Sequence, residues 1–152
     1  MLELADVQER LLQLTNERGL ILNEMAKTVN EKLKDRPILN QRIDNRETLI
    51  QSVELFPIDP TCQETLTLEL KETNWGDDKP KEKILTVTSK VPIPSTGTDE
   101  WMRVYEFSLN PLTDNKKQEY VGGVRASHNT HKFTNETFRA IHRSIQNYQV
   151  RK

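Results

Sequence analysis

Apolar positions along the first 35 residues recur at alternating intervals of three and four. Leu4, Val7, Leu11, Leu14, Arg18, Ile21 and Met25 keep the spacing of a coiled-coil seam. From Leu22 the register drifts, and Leu22, Ala26, Val29 and Leu33 carry the stripe along a neighbouring line. Charged and amide side chains fill the other positions, so the pattern predicts one long amphipathic helix that ends near Arg36. Gly19 falls inside it and costs roughly 1 kcal/mol relative to alanine. The apolar spacing nevertheless runs through that glycine, and Pro37 is what biases its predecessor away from the helical region. Such a stripe needs a cover, from the rest of this chain or from a second one. Arg18 fits a packed seam only if its stem lies along the interface and its head reaches Glu17 or Glu24 of a partner.

A second helix is expected from about Ile38 to Leu55, with Leu39, Ile43, Ile50 and Val53 on one face and Arg46 interrupting it. Phe56-Pro57-Ile58-Asp59-Pro60 then forms a boundary bracketed by two prolines. Beyond it the period changes to two. Leu66, Leu68 and Leu70 alternate with polar residues as in a half-buried strand. A polar turn at Asn74–Pro80 leads to a β-branched strand from Ile84 to Val91, stopped by Pro92 and Pro94. Trp101, Arg103, Tyr105, Phe107 and Leu109 share one face of a third strand, and Met102 and Val104 the other. After a polar turn at Asn110–Lys117, Tyr120 to Ala126 reads as a fourth strand, with Gly122-Gly123 as a bulge or a site of close approach.

The closing helix has a well-marked start. Thr134 is its N-cap, Glu136 lies in the first turn, and Phe133 and Phe138 hold the two positions of a hydrophobic staple. Phe138, Ile141, Ile145 and Tyr148 form its apolar stripe, and Arg151 and Lys152 meet the negative end of its dipole. The expected architecture is α+β: a long N-terminal amphipathic, coiled-coil-like helix, a four-stranded antiparallel β-meander and a C-terminal helix packed on the sheet. Residues 1–36 form the association helix, 37–60 the second helix and proline-bounded linker, and 61–152 a small α+β module.

At 152 residues the chain is long enough for a real core, yet only 34% is hydrophobic while 30% is charged. That share suits an elongated or partner-completed protein. A single cysteine, Cys62, excludes an intramolecular disulfide and points to a reducing compartment. The N-terminus lacks a signal-peptide layout, and no apolar run reaches the roughly 18 residues of a membrane span. The expectation is a soluble intracellular protein, cytoplasmic or nuclear, without membrane contact.

Net charge of −1 conceals an asymmetry. Residues 1–60 carry 8 Lys/Arg against 11 Asp/Glu, residues 61–115 carry 6 against 10, and residues 116–152 carry 8 against 2. The basic end either complements the acidic remainder within one fold or meets an anionic partner through Lys116, Lys117, Arg125, Lys132, Arg139 and Arg143.

Candidate chemistry changes this picture little. His128, His131 and His142 are the only histidines, and with Cys62 far away they make a poor metal shell. Ser127 beside His128 forms no triad by adjacency, and Gly122-Gly123 precedes no helix that would make a phosphate loop. Trp101, Tyr105 and Phe107 raise the question of base stacking, but aromatics at alternate strand positions supply a core for the last helix. No catalytic residue, metal or cofactor is expected. The sequence reads as a non-catalytic protein–protein interaction module, a subunit or adaptor of a larger assembly. Leu4, Val7, Leu11, Leu14, Ile21, Met25, Val29 and Leu33 are its association residues, toward a protein partner or a second copy as a dimer or higher oligomer. The alternative is a nucleic-acid-associated protein using segment 116–152.

Overall fold

The computed structural model describes residues 3–92, 100–111, 116–121, 124–128 and 133–150. Helix α1 spans Leu4–Leu33 without interruption at Gly19. A Cβ at Gly19 would meet only Pro111 Cγ at 3.9 Å, an ordinary contact, so nothing there demands glycine. The last carbonyls of a helix lack intrahelical partners. Here the side chain of Gln51 donates to Leu33 O at 3.1 Å and to Arg36 O at 3.0 Å. The end of α1 is thus tied to the sheet.

All strand pairings are antiparallel. The strands are β1 (Gln41–Arg42), β2 (Glu47–Pro57), β3 (Thr65–Thr73), β4 (Glu82–Pro92), β5 (Glu100–Ser108), β6 (Lys116–Val121), β7 (Val124–His128) and β8 (Tyr148–Val150). β2 to β7 follow one another as a meander, and the short β1 and β8 pair with the two ends of the free edge of β2. The sheet therefore has more than the four strands expected from the sequence.

Two local readings account for the difference. The segment expected as a second helix from Ile38 to Leu55 contains β2 instead, an eleven-residue strand. Its register on β3 shifts between Leu49 and Gln51. That bulge moves odd-numbered residues from one face to the other. Leu49 opposes Lys71 on the outer face, whereas Val53 and Leu55 oppose Leu68 and Leu66 on the core face. A strand with one inserted residue loses its period of two and imitates helical spacing. Likewise, the single strand expected over Tyr120–Ala126 is two strands, because Val121 pairs with Val124 and the chain reverses between them. Gly122-Gly123, expected as a bulge, lies outside the described residues. Lys116 and Lys117, expected in a turn, open β6.

One face of the sheet carries the core. Leu66, Leu68 and Leu70 of β3, Leu85 and Val87 of β4 and Phe107 of β5 are buried there with Val53 and Leu55. Leu22, Met25, Val29 and Leu33 of α1 join the same cluster, as do Phe138, Ile141 and Ile145 of α2 (Asn135–Asn147). The C-terminal half of α1 is therefore part of the module's own core. The start of α2 follows the sequence expectation: Thr134 accepts from Thr137 N, and the rings of Phe133 and Phe138 meet edge-on at 5.6 Å. Phe107 stacks edge-on against Phe138 at 5.3 Å. Its end does not follow that expectation. The helix stops at Asn147, and Tyr148, expected as the last member of its apolar stripe, enters β8 opposite Pro57. Burial and a hydrogen bond to Glu64 (2.8 Å) push the Tyr148 hydroxyl well above its usual pKa. Arg151 and Lys152 lie outside the described residues.

Candidate functional site

The apolar stripe of α1 divides into a covered and an uncovered half. Eighteen residues make five turns of an α-helix, so Leu4, Val7 and Leu11 continue the face of Leu22, Met25 and Val29. The second trio is buried to within 2%. Leu4, Val7, Leu11 and Leu14 are exposed at 73%, 40%, 59% and 45%. Of the expected association residues, Met25, Val29 and Leu33 thus lie inside the fold, and Ile21 is half-buried against the same core. The remaining four form the overhang, a segment about 16 Å long on the helical rise.

The boundary between the halves is Arg18. Its Nε donates to Asn135 Oδ1 at 3.0 Å, a second guanidinium nitrogen donates to Phe133 O at 2.9 Å, and the group sits 5.5 Å from the Phe138 ring centroid. Asn135 in turn donates to Leu14 O at 3.2 Å. The head expected to reach a partner's Glu17 or Glu24 therefore clamps the N-terminus of α2 in the same chain. Its seam position and charge were visible in the sequence; its acceptors, more than a hundred residues away, were not.

The cationic residues expected to meet an anion lie on three elements of the fold or outside the described residues. Arg139 pairs with Glu17 and Glu136. Arg143 is exposed on α2, Lys116 and Lys117 lie in β6, Arg125 lies in β7, and Lys132 is outside the described residues. Of the histidines, His142 is the one whose side chain is described. His128 ends β7, His131 is not described, and His142 Nε2 lies 2.9 Å from Thr28 Oγ1 between the two helices. The Thr28 hydroxyl proton is committed to Glu24 O at 3.1 Å, so Nε2 is the donor of that pair. Burial lowers the His142 pKa, and Glu24 opposes the shift. Among the described residues no group of three His, Cys, Asp or Glu is placed to hold a metal. No helix among them is long and apolar enough to cross a membrane. Phe107 is buried and Tyr105 packs on the core, while Trp101 stands at its exposed edge.

A second feature, unforeseen in the sequence, is a cleft of about 520 Å³ on the sheet face away from the helices. Its floor is the buried Thr73, Ile84 and Ser108, which share that face by register. The Asp44–Glu47 turn forms one rim. Asp44 accepts from the backbone N–H groups of Arg46 (2.7 Å) and Glu47 (2.8 Å), which hold its carboxyl below the usual range. Trp75 forms the opposite wall at the Asn74–Gly76 turn, where Gly76 takes φ +134°, a conformation that favours glycine. The indole N–H donates to Glu82 Oε2 at 2.9 Å, while Glu82 Oε1 accepts from the Ser108 hydroxyl. Four segments of the chain converge here, and no local spacing announces that. The visible signal was limited to a tryptophan in a polar turn.

No protein-family model matches the chain, and no match is found among the curated proteins or the solved structures.

Proposed function

We propose that the chain is a non-catalytic protein–protein interaction module, a subunit or adaptor of a larger assembly, that associates through the first three turns of α1. One observation carries this reading. The face that packs Leu22, Met25 and Val29 into the core continues, five turns earlier, as exposed Leu4, Val7 and Leu11. A surface helix with no binding role needs no apolar residues at those positions, and contiguous exposed apolar lines mark association sites. The overhang also has a firm base, because the Arg18 clamp fixes α1 where its cover ends.

The nucleic-acid alternative has less support, since Arg139 is already paired within the chain. The test is multi-angle light scattering of the purified protein and of its complexes from a source extract, with Leu11→Asp/Leu14→Asp as the perturbation. Each leucine withdrawn from an interface costs roughly 1.5–3 kcal/mol, so the double variant should lose about a hundredfold or more in affinity. Both leucines are exposed, so its unfolding transition should stay close to that of wild type. A wild type that is monomeric at every concentration and recovers no partner overturns the reading.

A further inference from the structure

We infer that the overhang of α1 takes a helix of a different protein, with basic side chains beside Glu3 and Glu17 and an acidic one beside Arg10, rather than a second copy of this chain. The inference rests on the association reading above and names the partner it calls for. A second copy is excluded on steric grounds in one orientation and on electrostatic grounds in the other.

Sterics exclude a parallel pair. Packed helices lie roughly 8–10 Å apart along a shared seam. α1 is unbroken from Leu4 to Leu33, and beyond Arg18 its seam face is occupied by the sheet and α2 of its own chain. A parallel copy laid on Leu4, Val7, Leu11 and Leu14 would run its own α1, beyond Arg18, into that module. An antiparallel copy avoids the clash. Leu4 and Val7 of one chain then lie against Leu14 and Leu11 of the other, with the two modules at opposite ends.

Charge opposes that antiparallel pair. Glu3, Arg10 and Glu17 recur every seven residues, each just before a seam position, so they line one flank of the helix. Reversing a copy sets this flank against itself. Arg10 then meets Arg10, and Glu3 of each chain meets Glu17 of the other. Arg139 already serves Glu17 together with Glu136, so a copy's Glu3 brings a third carboxylate to one guanidinium. The opposite flank holds the uncharged Gln8 and Thr15 and offers no compensation. Sliding the copies one heptad closer pairs Arg10 with Glu17, but it pushes Leu4 and Val7 onto the covered turns at Ile21 and Arg18. Sliding them apart pairs Glu3 with Arg10 and leaves Leu11 and Leu14 bare. Flank charges of this kind choose partners in helix pairs. A foreign helix whose flank reads basic, acidic, basic satisfies Glu3, Arg10 and Glu17 while covering the same apolar residues.

The probes are two synthetic helices of residues 3–17, fluorescently labelled. Both are stapled between positions 9 and 13, on the face away from the seam, because isolated helices of this length are marginal. One keeps the native sequence elsewhere and stands for a second copy. The other carries Glu3→Lys, Arg10→Glu and Glu17→Lys and stands for the foreign partner. Each is titrated by fluorescence anisotropy at low salt into the full-length protein, into Arg10→Glu and into Leu11→Asp/Leu14→Asp. The charge-reversed helix should bind wild type about tenfold or more tightly than the native one, as expected for several exposed pairs changed from repelling to attracting. That advantage should shrink against Arg10→Glu and at high salt, and the Leu11→Asp/Leu14→Asp variant should bind neither helix. Arg10 is exposed, so its variant should unfold like wild type. A native helix that binds as tightly, or a wild type that dimerises through Leu11 and Leu14, overturns the inference and leaves the association reading standing. Failure of both helices to bind a monomeric wild type, or equal binding to Leu11→Asp/Leu14→Asp, overturns both.

Discussion

Replacing Arg18 with methionine separates two accounts of α1 that a helical wheel cannot tell apart. In a coiled-coil seam a charged residue at an a position weakens the interface, so an apolar replacement strengthens association. In the fold described above Arg18 is instead a clamp. Methionine keeps most of the stem over Phe138 but strands two acceptors, Asn135 Oδ1 and Phe133 O, which the guanidinium reaches at 3.0 and 2.9 Å. Asn135 is 8% exposed and Phe133 4%, so water is a poor substitute there. Each hydrogen bond from a charged donor contributes about 1.5–3 kcal/mol, and the contact with the Phe138 ring about 0.5–1 kcal/mol. These contributions overlap and Arg18 itself is only half-buried, so the working figure is about 2–4 kcal/mol. In a chain of this size that lowers the melting temperature by roughly 5–15 °C.

The assay is urea unfolding followed by far-UV circular dichroism, in a cycle with Asn135→Ala. The clamp requires the two changes to be coupled by about 1 kcal/mol or more, because the side chains bond directly. An Arg18→Met variant within about 0.5 kcal/mol of wild type, with no coupling to Asn135, refutes the clamp. A gain in association at unchanged stability would restore the seam account.

Two further outcomes follow from the same region. Gly19→Ala should stabilise the fold by about 0.5–1 kcal/mol in the same urea titration, since the helix runs through it and the nearest atom to a new Cβ is 3.9 Å away; a loss of stability would mean that the helix bends there after all. His142 has a folded-state pKa lowered by burial from 6.5, so the unfolded chain binds its proton more readily. The stability this represents is fully present above the unfolded value and is lost as pH falls through the folded one. Wild type should therefore weaken more than His142→Gln between about pH 7 and pH 5, and parallel curves for the two would remove His142 as the cause.

Much of the architecture was legible because one element's periodicity reports which of its faces is dry. The alternation of Leu66, Leu68 and Leu70 located β3, the β-branched run located β4, and Thr134 with its flanking phenylalanines located the start of α2. Such signals depend on neighbours within a few residues, and they are written in the chain itself. They failed where a single residue changed the phase. The inserted position near Ile50 turned a long strand into an apparent helix, and the reversal between Val121 and Val124 split one expected strand into two.

What the sequence by itself determined about α1 is its helicity and the apolar face of all eight turns. Only the tertiary structure decided which turns that face keeps and which it leaves open. The sheet and α2 cover Leu22 to Leu33 and end at the level of Arg18, whose acceptors at Phe133 and Asn135 lie 115 and 117 residues away. The cleft depends in the same way on Asp44, Trp75, Glu82 and Ser108, brought together by strand register. Local spacing encodes a face because helix and strand repeat every few residues. It carries no record of where another element stops, since that is set by long-range packing, whose partners are chosen only when the whole sheet has formed.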